Sequence, residues 1–280
     1  MFEVISEMLS FPFIVRAVIV GTLVSVCAAL LGVNLVLKRY SMIGIGLSNV
    51  GFGAMVLAAV LNMAPLTLAI PAVIAAAFML LRLSENSKIR GDAAVAVVSI
   101  VSLAFGWVII SRTTGMNTDV CNFLFGSMFT IIKSDVYLSI ALSVVVLTLF
   151  IMFYNKLFAI TFDETFARTS GIKIGLYNSL IALLTALTIT LGMRMMGSML
   201  ISSLIIFPAL SSMRLFKKFK SVTVCSAVIS IFCFFIGVYI SFEYDIRGGA
   251  SVVLVNTIVF ALFWIAAILG KSPLINRLRK

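Results

Sequence analysis

The chain predicts an all-α polytopic membrane protein of about nine transmembrane helices (eight to nine), with its N-terminus outside and its C-terminus cytoplasmic. Three observations carry this expectation. The 280 residues are 62% hydrophobic and only 11% charged, where a soluble domain carries roughly 25% charged residues. The apolar residues fall into stretches of roughly 20, the length a helix rising 1.5 Å per residue needs to cross a hydrocarbon core about 30 Å thick. The basic residues gather on alternate connections between those stretches.

The expected spans are 13–36, 42–62, 65–81, 92–111, 136–154, 176–194, 198–213, 222–241 and 250–269. Each is read as a helix because lipid offers no water to unpaired backbone groups. The segment 65–81 is short and starts at Pro65. The stretch 120–132 is apolar but too short to span, and reads as an interfacial or re-entrant piece. No polar stretch is long enough for a second domain, so residues 1–280 are expected to form one transmembrane domain. The N-terminal MFEVISEML holds two Glu and no Lys or Arg. It lacks the basic start of a secretory signal, and the first span is expected to stay in the mature protein.

The formal charge of +11 is placed as a topology signal, not as a nucleic-acid surface. With the N-terminus outside, all but Arg16, Arg112, Lys133, Arg194 and Arg247 of the 21 Lys and Arg fall on the cytoplasmic side. That matches the positive-inside rule and contact with anionic lipid. The four cysteines, Cys27, Cys121, Cys225 and Cys233, form no CxxC pair and read as small buried hydrophobes.

The longest internal cytoplasmic loop is 155–175. Thr161 is placed to cap a short surface helix whose first turn holds Asp163 and Glu164, where the helix dipole favours negative charge. Gly171 is placed to end it in a left-handed conformation. Such a helix suits docking of a partner, and an ordinary connecting loop fits the spacing equally.

No GxxxxGK[ST] loop occurs, so this chain is not expected to bind ATP by that route. None of the ten acidic residues falls mid-span. Ion-coupled carriers keep ionisable groups there, so energy is expected from another subunit. The spans hold neutral polar residues instead: Asn34, Ser48, Asn49, Thr185, Thr188, Thr190, Ser202, Ser203 and Asn256. Asn34, Ser48, Asn49, Ser202 and Ser203 are the candidates for lining a translocation path. The plainer alternative is hydroxyls bonded to their own helix and amides bonded between helices. Gly44, Gly46, Gly51 and Gly53 allow either close helix approach or local unwinding. The patch Met193, Met195, Met196 and Met199 reads as flexible packing in preference to a Cu(I) site.

Four segments carry a family resemblance. They are AALLGVNLVLKRYSMIGIGLSNVGFGAM (28–55), DETFARTSGI (163–172), GSMLISSLIIFPALSSMRL (197–215) and GASVVLVNTIVFAL (249–262). In this order they resemble the permease subunit of ABC importers for divalent metals, the zinc, manganese and iron type. The resemblance implies a transport subunit of the cytoplasmic membrane, not an enzyme. It binds no cofactor itself, and ATP is used by a partner subunit. Implied partners are ABC ATPase subunits, an extracellular solute-binding protein and a second permease, identical or not, within the lipid bilayer. The ATPase would grip Asp163, Glu164, Ala167 and Gly171.

One departure bears on the cargo. Relatives read IGDALSH in the second span, and their Asp and His are plausible metal ligands. Here those positions are Ile45 and Asn49, and the chain has no histidine, so the metal ligands are left unknown. Three explanations stand open: passage past neutral oxygens, ligands from a non-identical permease, or a cargo other than a free ion. A same-fold permease for a metal chelate or other solute is the alternative in kind, and an ATPase-independent channel or carrier is another.

Overall fold

The computed structural model describes residues 12–86, 91–113, 123–124, 126 and 133–270. Among them the helices are α1 (Pro12–Leu37), α2 (Ser41–Val60), α3 (Pro65–Asn86), α4 (Gly91–Arg112), α5 (Lys133–Met152), α6 (Tyr154–Phe162), α7 (Glu164–Thr169), α8 (Ile174–Met196), α9 (Ser198–Leu215), α10 (Phe219–Glu243) and α11 (Gly248–Gly270). The described residues hold no strand. Eight helices are long and apolar enough to cross a membrane. The pair α5–α6 makes a ninth path, bent by 67°. Every expected span therefore has a helix. The expected interfacial stretch 120–132 lies outside the described residues except for Phe123, Leu124 and Gly126.

The core is built on α1, α2, α8 and α9, whose span segments are 61–67% buried, against 22% for α4 and α11. Val97, Ile100, Val101 and Val108 on α4, and Leu254 and Ile258 on α11, are exposed apolar side chains on these two least buried spans. Packing is closest between α2 and both α3 and α4, and between α9 and both α1 and α11. The glycines of α2 serve this packing. The helix runs unbroken from Ser41 to Val60, so the alternative of local unwinding is not what the structure shows. A Cβ at Gly53 would sit 2.8 Å from the Ser102 carbonyl oxygen of α4.

The expected span 136–154 is the helix α5, and the chain bends at Phe153, at its end, into α6. No Pro or Gly stands there. The ladder restarts on the Phe153 carbonyl, which accepts from the Lys156 and Leu157 amides at 3.0 and 2.9 Å. Ring packing then holds α6 sideways: Tyr154 and Phe158 lie against Phe219 of α10, with centroids 5.4 and 5.0 Å apart. Phe153 meets Tyr177 of α8 edge-on at 5.6 Å.

A candidate translocation cavity and coupling helix

A cavity of about 550 Å³ opens between α2, α4, α9 and α11. Its polar wall is Ser48 and Asn49 of α2 with Ser198, Ser202 and Ser203 of α9, and Ile45 lies beside them. Leu103, Ile206, Phe207 and Val253 supply apolar wall. Ser48 and Asn49 share a face with Ile45 because helical residues three and four apart are neighbours. Ser198 and Ser202 align for the same reason.

The hydroxyls are not idle. Ser48 Oγ lies 2.9 Å from the Ile45 carbonyl, Ser202 Oγ lies 2.9 Å from the Ser198 carbonyl, and the two hydroxyls are 3.0 Å apart. Ser203 donates to the Leu200 carbonyl at 2.8 Å. Asn49 Nδ2 donates to Ser99 Oγ of α4 at 2.6 Å. The wall is neutral and oxygen-bearing. Among the described residues no three His, Cys, Asp or Glu side chains gather in a way that could hold a metal ion.

Asn34 stands apart from the other four path candidates. It is fully buried, and its Oδ1 accepts from the Thr161 hydroxyl of α6 at 3.1 Å, while its Nδ2 has no partner. It belongs to the α1–α6 contact, because its position in α1 turns it toward α6 and not toward α2. Thr185, Thr188 and Thr190 donate to their own helix at 2.7, 2.8 and 2.7 Å. The methionines do not converge. Met193, Met195 and Met196 are buried, with Ser139 donating to Met195 Sδ at 3.3 Å, while Met199 is exposed at the cavity. Ser198, Met199 and Ser99 were not anticipated at this site. Ser198 was legible as the residue one turn before Ser202, whereas Ser99 had no signal in the sequence.

The second feature is α7. Asp163, not Thr161, is its cap. The Asp163 backbone is extended and its Oδ1 accepts from the Thr165 and Phe166 amides at 2.8 and 3.0 Å. Thr161 lies inside α6, its hydroxyl 2.7 Å from the Leu157 carbonyl. At the other end Gly171 adopts φ +77°. The Gly171 amide donates to the Arg168 carbonyl and the Ile172 amide to the Ala167 carbonyl, at 3.1 and 3.0 Å, the paired bonds of a Schellman stop. Ala167 is fully buried and seats the helix, while Phe166 of α7 and Phe162 at the end of α6 are 64% and 61% exposed. Glu164 pairs with Lys38 of the α1–α2 turn at 2.9 Å.

Comparison with known proteins then places the chain. A profile of the ABC 3 transport family matches residues 10–267. The chain belongs to that family. Similar family proteins include the manganese import system permease protein ScaB of Streptococcus gordonii, 26% identical over 94% of this chain and 95% of that one. The probable iron transport system membrane protein of Haemophilus influenzae is 28% identical over 100% and 98%. The high-affinity zinc uptake system membrane protein ZnuB of the same organism is 28% identical over 90% and 97%. In fold the chain is similar to PsaBC from Streptococcus pneumoniae in complex with Fab, with TM-score 0.84 and 24% identity over 99% of this chain and 98% of that one. It is also similar to an inward-facing putative metal-chelate type ABC transporter, with TM-score 0.77 and 15% identity over 90% and 86%. Its spans and its family make it a multi-pass protein of the cytoplasmic membrane.

Proposed function

We propose that the chain is the membrane-spanning permease subunit of an ATP-driven importer that moves a divalent metal, manganese, zinc or iron, across the cytoplasmic membrane. Family relatives named for all three metals support this reading. ATP is hydrolysed in a separate partner chain and no cofactor binds here. The N-terminus lies outside and the C-terminus inside, so Lys38, α7 and Lys217, Lys218 and Lys220 face the cytoplasm. A second permease, identical or homologous, and an external solute-binding protein complete the assembly. Residues 1–280 act as one transmembrane domain.

The observation that carries the reading is α7: a helix capped at both ends, seated by Ala167, with Phe166 and the adjoining Phe162 of α6 exposed. Such a rigid, apolar-faced element is what an ATPase groove can grip and push. Asp163 and Gly171 keep its shape, Glu164 ties it to α1, and Ser48, Asn49, Ser202 and Ser203 line the path. Gly171→Pro tests this. Proline fixes φ near −65° and removes the amide that Arg168 accepts. The variant is expected to fold and insert yet fail to couple ATP hydrolysis to uptake. Full coupling in that variant would contradict the reading.

The neutral cavity favours a second reading, a same-fold permease for a metal chelate. A bare dication stripped of water and held by hydroxyls alone bears a heavy desolvation cost. A chelate arrives with its charge already ligated. Uptake of radioactive manganese, with and without a pre-bound chelator, separates the two.

A further inference from the structure

We propose that Lys38 is the linkage that carries a displacement of α7 into the helices lining the cavity. This rests on the permease reading above and adds a positioning residue to it. The Lys38 side chain is 6% exposed, against 52% for Glu164. An ammonium so nearly buried needs partners that replace water. Its Nζ donates to Glu164 Oε1 at 2.9 Å and to Asn178 Oδ1 at 2.5 Å. One cation thus joins three elements: the α1–α2 turn, α7 and α8.

Both ends of the linkage are stiff. The Tyr40 amide donates to the Leu35 carbonyl at 2.8 Å and the Arg39 amide to the Val36 carbonyl at 3.1 Å. Arg39 is held at φ +62°, so the turn after α1 is closed like the one after α7. Glu164 follows the cap residue Asp163 directly. A second tether lies one helical turn back on α1, where Asn34 meets Thr161 in the last turn of α6. The end of α1 therefore holds the α6–α7 corner at two points on one face.

The turn leads straight to the cavity. The Ile43 amide donates to the Tyr40 carbonyl at 3.0 Å, so α2 starts without slack. Ser48 stands about two helical turns into α2. A push on α7 that moves Glu164 must move Lys38, and a rigid α2 passes that motion to Ser48 and Asn49. Glu164 is half exposed and open to a partner. Lys38 lies behind it, out of a partner's reach, and acts only through Glu164 and Asn178.

The test uses the complete complex in proteoliposomes with radioactive manganese. Lys38→Met keeps the stem and removes the charge. The complex is expected to assemble and hydrolyse ATP, while metal moved per ATP falls at least about fivefold, the lower range of a coupling free energy. Lys38→Arg is expected to keep most of the coupling. The swap Lys38→Glu with Glu164→Lys is expected to recover more than either single change. Should Lys38→Met fail to fold, Glu164→Gln, which leaves the Asn178 bond in place, is expected to show the same loss. Wild-type uptake per ATP in Lys38→Met or, in its place, in Glu164→Gln, or a swap no better than the worse single, overturns the linkage while the permease reading stands. A wild-type complex without ATP-driven uptake overturns the permease reading, and the linkage with it.

Discussion

The Ser48 and Ser202 hydroxyls stand 3.0 Å apart across the α2–α9 contact, each also within 2.9 Å of a carbonyl of its own helix. Two hydroxyl protons serve three contacts, so one of the three bonds is always unmade.

That sharing predicts a small coupling between the two residues. Interhelical polar bonds in membranes are worth about 0.6 kcal/mol, so Ser48→Ala and Ser202→Ala should each lower stability slightly and be non-additive by roughly that amount. A double-mutant cycle on thermal unfolding in detergent checks it. Ser202→Phe, which fills the cavity, should leave assembly intact and stop uptake.

Ile45 and Asn49 share one wall of the cavity. Replacing them with Asp and His together should create a carboxylate–imidazole pair suited to borderline metals. Calorimetry should show zinc or manganese binding at least about tenfold tighter than wild type, a change of roughly 1.4 kcal/mol. Unchanged binding would mean the two positions do not address one site.

The ends of α7 should respond in distinct ways. Asp163→Ala removes a cap and should loosen the helix by about 1 kcal/mol. Gly171→Ala meets no atom within 4 Å, so its cost is backbone strain alone, about 1–2 kcal/mol at a left-handed φ. Faster hydrogen exchange over residues 163–172, with the spans unchanged, is the expected signature of both.

Two glycines near Ile205 separate packing from propensity. A Cβ at Gly32 would lie 2.0 Å from the Ile205 carbonyl oxygen, backbone that cannot rotate away, whereas at Gly44 it would lie 3.5 Å from the Ile205 Cδ1. Gly32→Ala should push α1 off α9 at a cost of about 1–3 kcal/mol. Gly44→Ala should be neutral or gain up to about 1 kcal/mol of helix propensity. Melting temperatures of the two purified variants decide the matter.

Much of the fold was legible because hydropathy reports a helix's surroundings directly. The expected 13–36 became Pro12–Leu37, and 42–62 became Ser41–Val60. Rotation about the helix axis was not legible. Asn34 and Asn49 look alike in sequence, yet one faces α6 and the other the cavity, and only the packing of neighbours decides which. Thr161 and Asp163 are both competent caps two residues apart. Thr161 lost that role because α6 continues through it, its hydroxyl 2.7 Å from the Leu157 carbonyl and 3.1 Å from Asn34 Oδ1. The bend at Phe153 carries no Pro or Gly to announce it, and the ring that α6 packs on beyond it, Phe219, is more than sixty residues away.

The most direct test of the account compares manganese uptake into vesicles holding the isolated chain with uptake into vesicles holding the chain together with its ATPase subunits and ATP. The account predicts uptake only in the second, abolished when ATP is replaced by a non-hydrolysable analogue. Uptake by the isolated chain at a comparable rate would contradict it.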